Sequence, residues 1–410
     1  FEAFTEDLMA LVTWLTSVGV TTVAMEATGV YWRELYIRLA EAGIEVLLAD
    51  PRKTRNPRGR KTDMQDCQWI WELHAHGLLE GAFVPGPLVQ QLRTYMRFRQ
   101  ARTADAAVSL TEMQRALSLM NIKLQHVLAD VGGITGMAII KAILDGERDP
   151  HVLARLRDWR CKADEKLLAK ALTGTWRSEH IFLLRHAYLD YEHHRQTMAV
   201  CDQTIEALIA SFPARATETV PLTPKRATAR NSFSFDAQQA AYRLTGVDLA
   251  AVDGIGPKTA LDFLGEVGFD LSAWPSRKAF CNWLGLAPNP KRSGGKHLGN
   301  LPTTANRAAQ ILRNAAMGLD GKDKTNPLSA IFRRIASRKG RAEAIKATAH
   351  KLARIIYAMF RDRTTYDATK LTPPLTERRK KHLLRHLSQQ AARIGYTLQL
   401  APAALPETAG

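Results

Sequence analysis

The stretch "TTVAMEATGVYWRELYIRLAEAGIEVLLAD", residues 21–50, decides the fold of the N-terminal part of the chain. Its β-branched opening, Thr21 to Glu26, reads as a strand. Val30 to Ala42 follows with helical spacing through Leu35, Ile37 and Leu39, and Ile44 to Asp50 is a second apolar run. Strand, helix and strand in this order predict a βαβ unit with a parallel strand pair. Six basic residues then crowd into ten positions (Arg52, Lys53, Arg55, Arg58, Arg60 and Lys61) ahead of a helix expected from Asp63 to Leu79, with Thr62 as its N-cap.

Outward from this unit, 410 residues exceed what one core holds, so two or three domains are expected. The predicted class is α/β plus α. After a partial α/β domain at 1–87, residues 88–212 become helical. There Ala106, Leu110, Met113, Leu117, Met120, Leu124, Val127 and Val131 alternate spacings of four and three, a heptad seam. A second apolar series, from Leu184 to Phe212, makes an antiparallel coiled-coil arm the expectation, closed within one subunit or used to form a dimer. Residues 213–240, rich in Pro, Thr, Ser and Arg at their start, read as a linker. A mainly helical domain follows at 241–365, and a basic extension at 366–410.

Charge narrows the partners. Residues 1–212 hold 25 Lys and Arg against 26 Asp and Glu, whereas residues 213–410 hold 32 against 14, so the second half carries the whole net charge of +17. A field of that sign attracts polyanions, nucleic acid first among them. Four dispersed cysteines (Cys67, Cys161, Cys201, Cys281) give neither a zinc pattern nor a disulfide framework, which fits a reducing cytoplasm. No apolar run approaches the roughly 18 uncharged residues of a membrane span, so no membrane partner is expected.

Three motifs carry chemistry. Glu26 closes a predicted strand, where open α/β sheets place their ligands, and Asp63 and Asp66 are three apart on one helical face. Three such carboxylates are hard oxygen ligands for Mg²⁺ or Mn²⁺ in phosphoryl transfer. The same two aspartates also suit an ordinary helix start, where the macrodipole favours acids and Thr62 with Gln65 forms a capping box. The second motif, Val252-Asp253-Gly254-Ile255-Gly256-Pro257-Lys258, has the wording of a helix-hairpin-helix. Gly254 and Gly256 would let the backbone approach a phosphate, and Lys258 would add charge; a tight turn between core helices is the alternative. The third, Arg292-Ser293-Gly294-Gly295-Lys296, sets a serine among basic residues and glycines, where a DNA phosphate can meet the hydroxyl. Such wording is also common in plain turns.

Together the motifs resemble the insertion sequence 110 family of transposases, RNA-bridged recombinases. "AMEATGVYWRELYIRL", "DPRKTRNPRGRKTDMQD" and "GLLEGAFVP" resemble that family's RuvC-like, RNase H-type domain, while "VDGIGPKTALDFLGEVG", "WLGLAPNPKRSGGK" and "ANRAAQILRNAA" resemble its C-terminal transposase domain. The resemblance implies that Glu26, Asp63 and Asp66 are the second to fourth acids of a metal-binding DEDD set and that Ser293 is the nucleophile. The first acid, on the domain's opening strand, is expected upstream of Phe1, which would leave the present chain impaired. "GNLPTTAN" after the serine departs from the family's commoner basic wording.

The implied reaction joins two DNA half-sites through a phosphoserine linkage. A structured guide RNA pairs with donor and target DNA, and the active site is composite in a homo-oligomer, a dimer or tetramer, in the bacterial cytoplasm. Arg58, Arg60 and Lys61 would contact the RNA backbone; Arg292, Gly294, Gly295 and Lys296 would line the DNA. Two other readings stay open: a RuvC-like junction endonuclease that uses water, and a decayed DNA-binding relic.

Overall fold

A computed structural model describes residues 1–54, 62–216, 222, 230–288, 290–294, 296–300, 306–320, 326–371, 377–397 and 399. The chain divides into two compact units, Phe1–Leu208 and Ile209–Gly410.

The first unit opens with α1 (Thr5–Ser17), β1 (Thr22–Glu26), α2 (Trp32–Glu41) and β2 (Glu45–Ala49). β1 and β2 pair in parallel, with Thr22 opposite Glu45 and Glu26 opposite Ala49, as the βαβ wording requires. The crossover helix α2 buries Leu39 completely, and Ile44, Leu48 and Ala49 complete a small core. On β2 the chain returns once more, where Ala49 bridges Gly81. A short α3 (Pro51–Thr54) leads away from the sheet, and α4 (Asp63–Ala75) starts where the Thr62 side chain accepts the Gln65 N–H. That helix ends four residues short of the expected Leu79, at a turn through Gly77, whose φ is +65°.

Two long helices dominate the rest of the unit, α5 (Pro87–Leu119) and α10 (Ser178–Ser211). They pair antiparallel: the Thr103 hydroxyl lies 3.1 Å from Met198 Sδ, and one turn away Arg99 Nη2 donates to Asp202 Oδ2 at 3.2 Å. Arg99 and Asp202 are both buried, so each charge depends on the other.

The heptad seam is not one helix. α5 stops at Met120, Asn121 takes the left-handed conformation (φ +60°), and the chain turns into α6 (Leu124–Val127). Leu124 and Val131 still reach the same core as Met113 and Leu117, but from a second layer. That layer is made by α6, α7 (Ile134–Leu144), α8 (Pro150–Ala154) and α9 (Glu165–Leu172). Apolar periodicity continues across the break because both segments face one core, and spacing alone does not distinguish this from a continuous seam. Gly136 is fixed by packing, since a Cβ there would stand 1.9 Å from the Val131 carbonyl oxygen.

The second unit holds α11 (Ala237–Thr245), a 3₁₀ turn (Leu249–Ala251), α12 (Pro257–Val267) and α13 (Arg277–Trp283). An antiparallel hairpin of β3 (Pro290–Ser293) and β4 (Lys296–Asn300) comes next. Then follow α14 (Arg307–Met317), α15 (Pro327–Lys339), α16 (Arg341–Asp362), a 3₁₀ turn (Ala368–Leu371) and α17 (Glu377–Arg393). Phe280 is fully buried and meets Trp274 edge-on at 5.1 Å, while the Tyr357 hydroxyl donates to the Trp274 carbonyl at 2.8 Å, locking α13 to α16. No described helix is long and apolar enough to cross a membrane.

Candidate functional site

Glu26 ends β1 at the carboxyl edge of the parallel pair. Both its carboxylate oxygens are engaged: Thr28 Oγ1 donates to Oε1 at 2.5 Å and Thr54 Oγ1 donates to Oε2 at 2.8 Å. Thr54 is only 4% exposed, so this second bond is built into the fold. Sequence reading passed over both threonines. Thr28 lies two residues away, a spacing that permits such a bond, whereas Thr54 is brought in only by the β2–α3 connection. Asp50 was also missed. It follows β2 and shares the carboxyl edge with Glu26, so the strand-end rule that selected Glu26 applies to it equally.

Asp63 and Asp66 occupy the first turn of α4, Asp63 exposed and Asp66 half-buried. Among the described residues no three His, Cys, Asp or Glu side chains are grouped closely enough to hold a metal ion. Glu26, Asp63 and Asp66 therefore do not form a ligand set in this arrangement. Arg58, Arg60, Lys61 and Gly295, expected to contact nucleic acid, lie outside the described residues.

In the second unit the glycine motif forms the turn that leads into α12. Gly254 has φ +85°, and a Cβ there would meet Leu319 Cγ at 3.0 Å and the Ala315 carbonyl oxygen at 3.1 Å, both on the α14 side. This glycine is needed for packing. Gly256 caps α12 with an ordinary φ of −95°, and a Cβ on it would touch nothing within 4 Å. Its face is open to an approaching group, and the first-turn N–H groups of α12 follow it. Lys258 pairs with Asp262 at 2.5 Å, one turn along, and lies 5.9 Å from the Phe233 ring centroid. Its charge is partly spent within the protein. Tyr366 Oη donates to Asp253 Oδ2 at 3.1 Å, and burial holds that phenol well above its usual range.

Ser293 is the last residue of β3, exposed at the hairpin tip and paired with Lys296 across Gly294 and Gly295. Gly294 has φ +54° and open space where a Cβ would be. Two strands joined by Gly-Gly is a readable hairpin signal, but the structural alternative read from sequence is only a plain turn in a mainly helical domain, which misses the strands. The segment is clasped at its base. Asn306 Nδ2 donates to the Trp283 carbonyl at 3.3 Å while its Oδ1 accepts the Ala309 N–H at 3.2 Å, tying the end of α13 to the start of α14.

Both candidate regions fall within stretches that match known families. Residues 1–122 match the DEDD transposases of IS110 elements, and residues 248–318 match the transposase IS116/IS110/IS902 family. Two separate stretches of the chain thus resemble IS110-type transposases. The first match contains Glu26, Asp63 and Asp66; the second contains the glycine turn and Ser293. Similarity extends to the insertion element IS900 uncharacterized 42 kDa protein of Mycobacterium paratuberculosis, 28% identical over 120 residues. That alignment spans 29% of this chain and 30% of the relative.

Proposed function

We propose that the chain is a DNA transposase that exchanges strands through a phosphoserine intermediate on Ser293. The observation that carries this reading is an exposed serine at the tip of a clasped hairpin, inside the segment that matches the transposase family. Ser293 Oγ attacks a DNA phosphorus, the Oγ–P bond forms as a P–O bond to the neighbouring nucleotide breaks, and the serine proton ends on the released DNA hydroxyl. A second DNA hydroxyl then attacks the phosphoserine and regenerates Ser293. Ester bonds are conserved in number, so no ATP is required.

Gly294 leaves the tip without a side chain beside the nucleophile, and Gly256 leaves a similar opening at the α12 N-terminus for a phosphate. The glycine turn acts as a helix-hairpin-helix, contacting DNA independently of base sequence. Arg292, Gly295 and Lys296 flank the DNA at the serine segment. Lys258 contributes to the field there, shared with Asp262.

The first unit acts as a RuvC-like domain with Glu26, Asp63 and Asp66 as its acidic set. Carboxylates of this kind bind Mg²⁺ or Mn²⁺, but as arranged here they do not form a three-ligand site, and no step is written through a metal. Donor and target DNA are the substrates, a structured guide RNA supplies sequence recognition by pairing with them while Arg58, Arg60 and Lys61 contact its backbone, and the active form is a homo-oligomer. The test is denaturing electrophoresis of the protein after incubation with end-labelled element DNA and its RNA. A covalent adduct in the wild type that vanishes in Ser293→Ala supports the reading. Cleavage that survives in Ser293→Ala without any adduct replaces it with a water-using endonuclease.

A further inference from the structure

The loop between α8 and α9 holds a tryptophan that the fold does not use. Trp159 is 84% exposed, although Leu153 and Ala154 at the end of α8 and Ala163 just before α9 are buried. The loop is held in shape: the Asp158 N–H donates to Thr135 Oγ1 at 3.0 Å, the Cys161 N–H donates to the Asp158 carbonyl at 2.9 Å, and the Asp158 carboxylate takes the Arg160 guanidinium in two bonds of 2.8 and 3.3 Å. An anchored loop that presents a large aromatic ring to water lacks a folding reason for the ring, since burial would be worth several kcal/mol (about 2–3).

The ring's surroundings are basic. Arg155, Arg157, Arg160 and Lys162 stand within eight residues against the single acid Asp158, in a unit whose overall charge is near balance. Among the described residues, Arg155, Arg157 and Lys162 make no ion pair, and Arg160 lies 5.7 Å from the Trp159 ring centroid. A cavity of about 420 Å³ opens beside the loop, lined by Arg160, Cys161 and Lys162 on one wall and by Gly133, Ile134 and Thr135 of the α7 N-terminus on another, with Asp130 and Asp158 as its acids. An exposed aromatic face, cations without an ion pair among the described residues and an adjoining cleft fit an unpaired nucleotide, whose base stacks while its phosphates meet the cations. Duplex DNA has its bases stacked internally and offers no face to such a ring.

We infer that Trp159, with Arg157 and Lys162, is a stacking site for single-stranded nucleic acid, built from none of the residues of the acidic and serine motifs. The inference rests on the reading of the chain as a nucleic-acid enzyme but not on Ser293 as nucleophile. The test is fluorescence anisotropy of the full chain with labelled 20-nucleotide oligothymidylate, oligouridylate and a duplex of matched length. Trp159→Ala is expected to weaken both single strands about tenfold, to leave the duplex unchanged and to keep the salt slope. Trp159→Phe should recover most of the loss. Arg157→Ala and Lys162→Ala should each lower the salt slope by about 0.7, one single-strand phosphate contact apiece. A loss confined to the RNA strand or to the DNA strand identifies which of the two the site serves.

Trp159→Ala binding single strands like the wild type overturns the inference while leaving the transposase reading intact. So does an equal loss on duplex, or a change in oligomeric state with binding unchanged, which would make the tryptophan a protein contact. A wild-type chain that binds none of the three probes removes the nucleic-acid reading itself. Because the ring is 84% exposed, the substitution removes no core contact, and an unchanged thermal melt confirms that the variants are folded.

Discussion

Gly254→Ala separates the two glycines of the α12 turn by what each does. A Cβ at residue 254 enters a left-handed conformation at φ +85°, which costs about 1–2 kcal/mol for an L-residue. It also presses Leu319 Cγ at 3.0 Å and the Ala315 carbonyl oxygen at 3.1 Å. The Leu319 side chain can yield, whereas the backbone oxygen on α14 cannot without moving the helix, so overpacking adds about 1–3 kcal/mol. The expected total is about 2–5 kcal/mol, or about 5–15 °C in the melting of a unit of this size. Gly256→Ala meets nothing within 4 Å at φ −95° and should cost under about 1 kcal/mol. Thermal melts followed by circular dichroism, with hydrogen exchange of the α12 and α14 peptides, measure both. Gly256→Ala should in addition bind duplex DNA more weakly, because its methyl stands where a phosphate would approach. A Gly254→Ala chain as stable as the wild type, or a Gly256→Ala chain equally damaged, refutes the assignment of a close Cβ contact to one glycine and open space to the other.

Other expectations follow from individual contacts. Asp202→Ala leaves the buried Arg99 guanidinium without this carboxylate and should destabilise the first unit by about 3–5 kcal/mol in a urea titration; a loss below about 1 kcal/mol would contradict a stabilising role for the pair. Thr54→Val keeps the shape of a buried side chain but removes one of the two hydroxyls that hold Glu26. Recombination should fall about tenfold and stability by about 1–3 kcal/mol, and wild-type recombination would show that Glu26 needs no such support. Burial, with Arg354 and Lys351 nearby, holds the His350 imidazole below its usual value of 6.5. The unfolded chain therefore takes up this proton first, and stability should decline as pH falls below about 6.5. The decline should be shallower in His350→Gln, and an identical pH dependence of the two melts would contradict it.

The parts of the fold legible in sequence are those set by neighbours along the chain. Thr22–Glu26 and Glu45–Ala49 lie within a residue of the runs that predicted them, and Thr62 caps α4 as its side-chain chemistry requires. The break in the heptad seam was not legible, because Asn121 in a left-handed turn is one residue in a pattern that continues on both sides. The β3–β4 hairpin was legible in its Gly294-Gly295 pair but was outweighed by the helical character around it. The Lys258–Asp262 pair was also readable, at a spacing of four on one helix. What sequence could not supply is the clasp made by Asn306 on Trp283 and the hydroxyl of Thr54 on Glu26, since both join residues more than twenty positions apart.

The account stands on Ser293, and the most direct measurement is the site of covalent attachment. Element DNA is incubated with the full chain and its RNA, the reaction is quenched in denaturant, and nuclease and protease digestion is followed by mass spectrometry of the nucleotide-bearing peptide. A phosphodiester remnant is expected on Ser293 within the β3–β4 peptide and none in Ser293→Ala. Recombinant DNA formed at wild-type rate by Ser293→Ala, or an adduct mapped to any other residue, would contradict it.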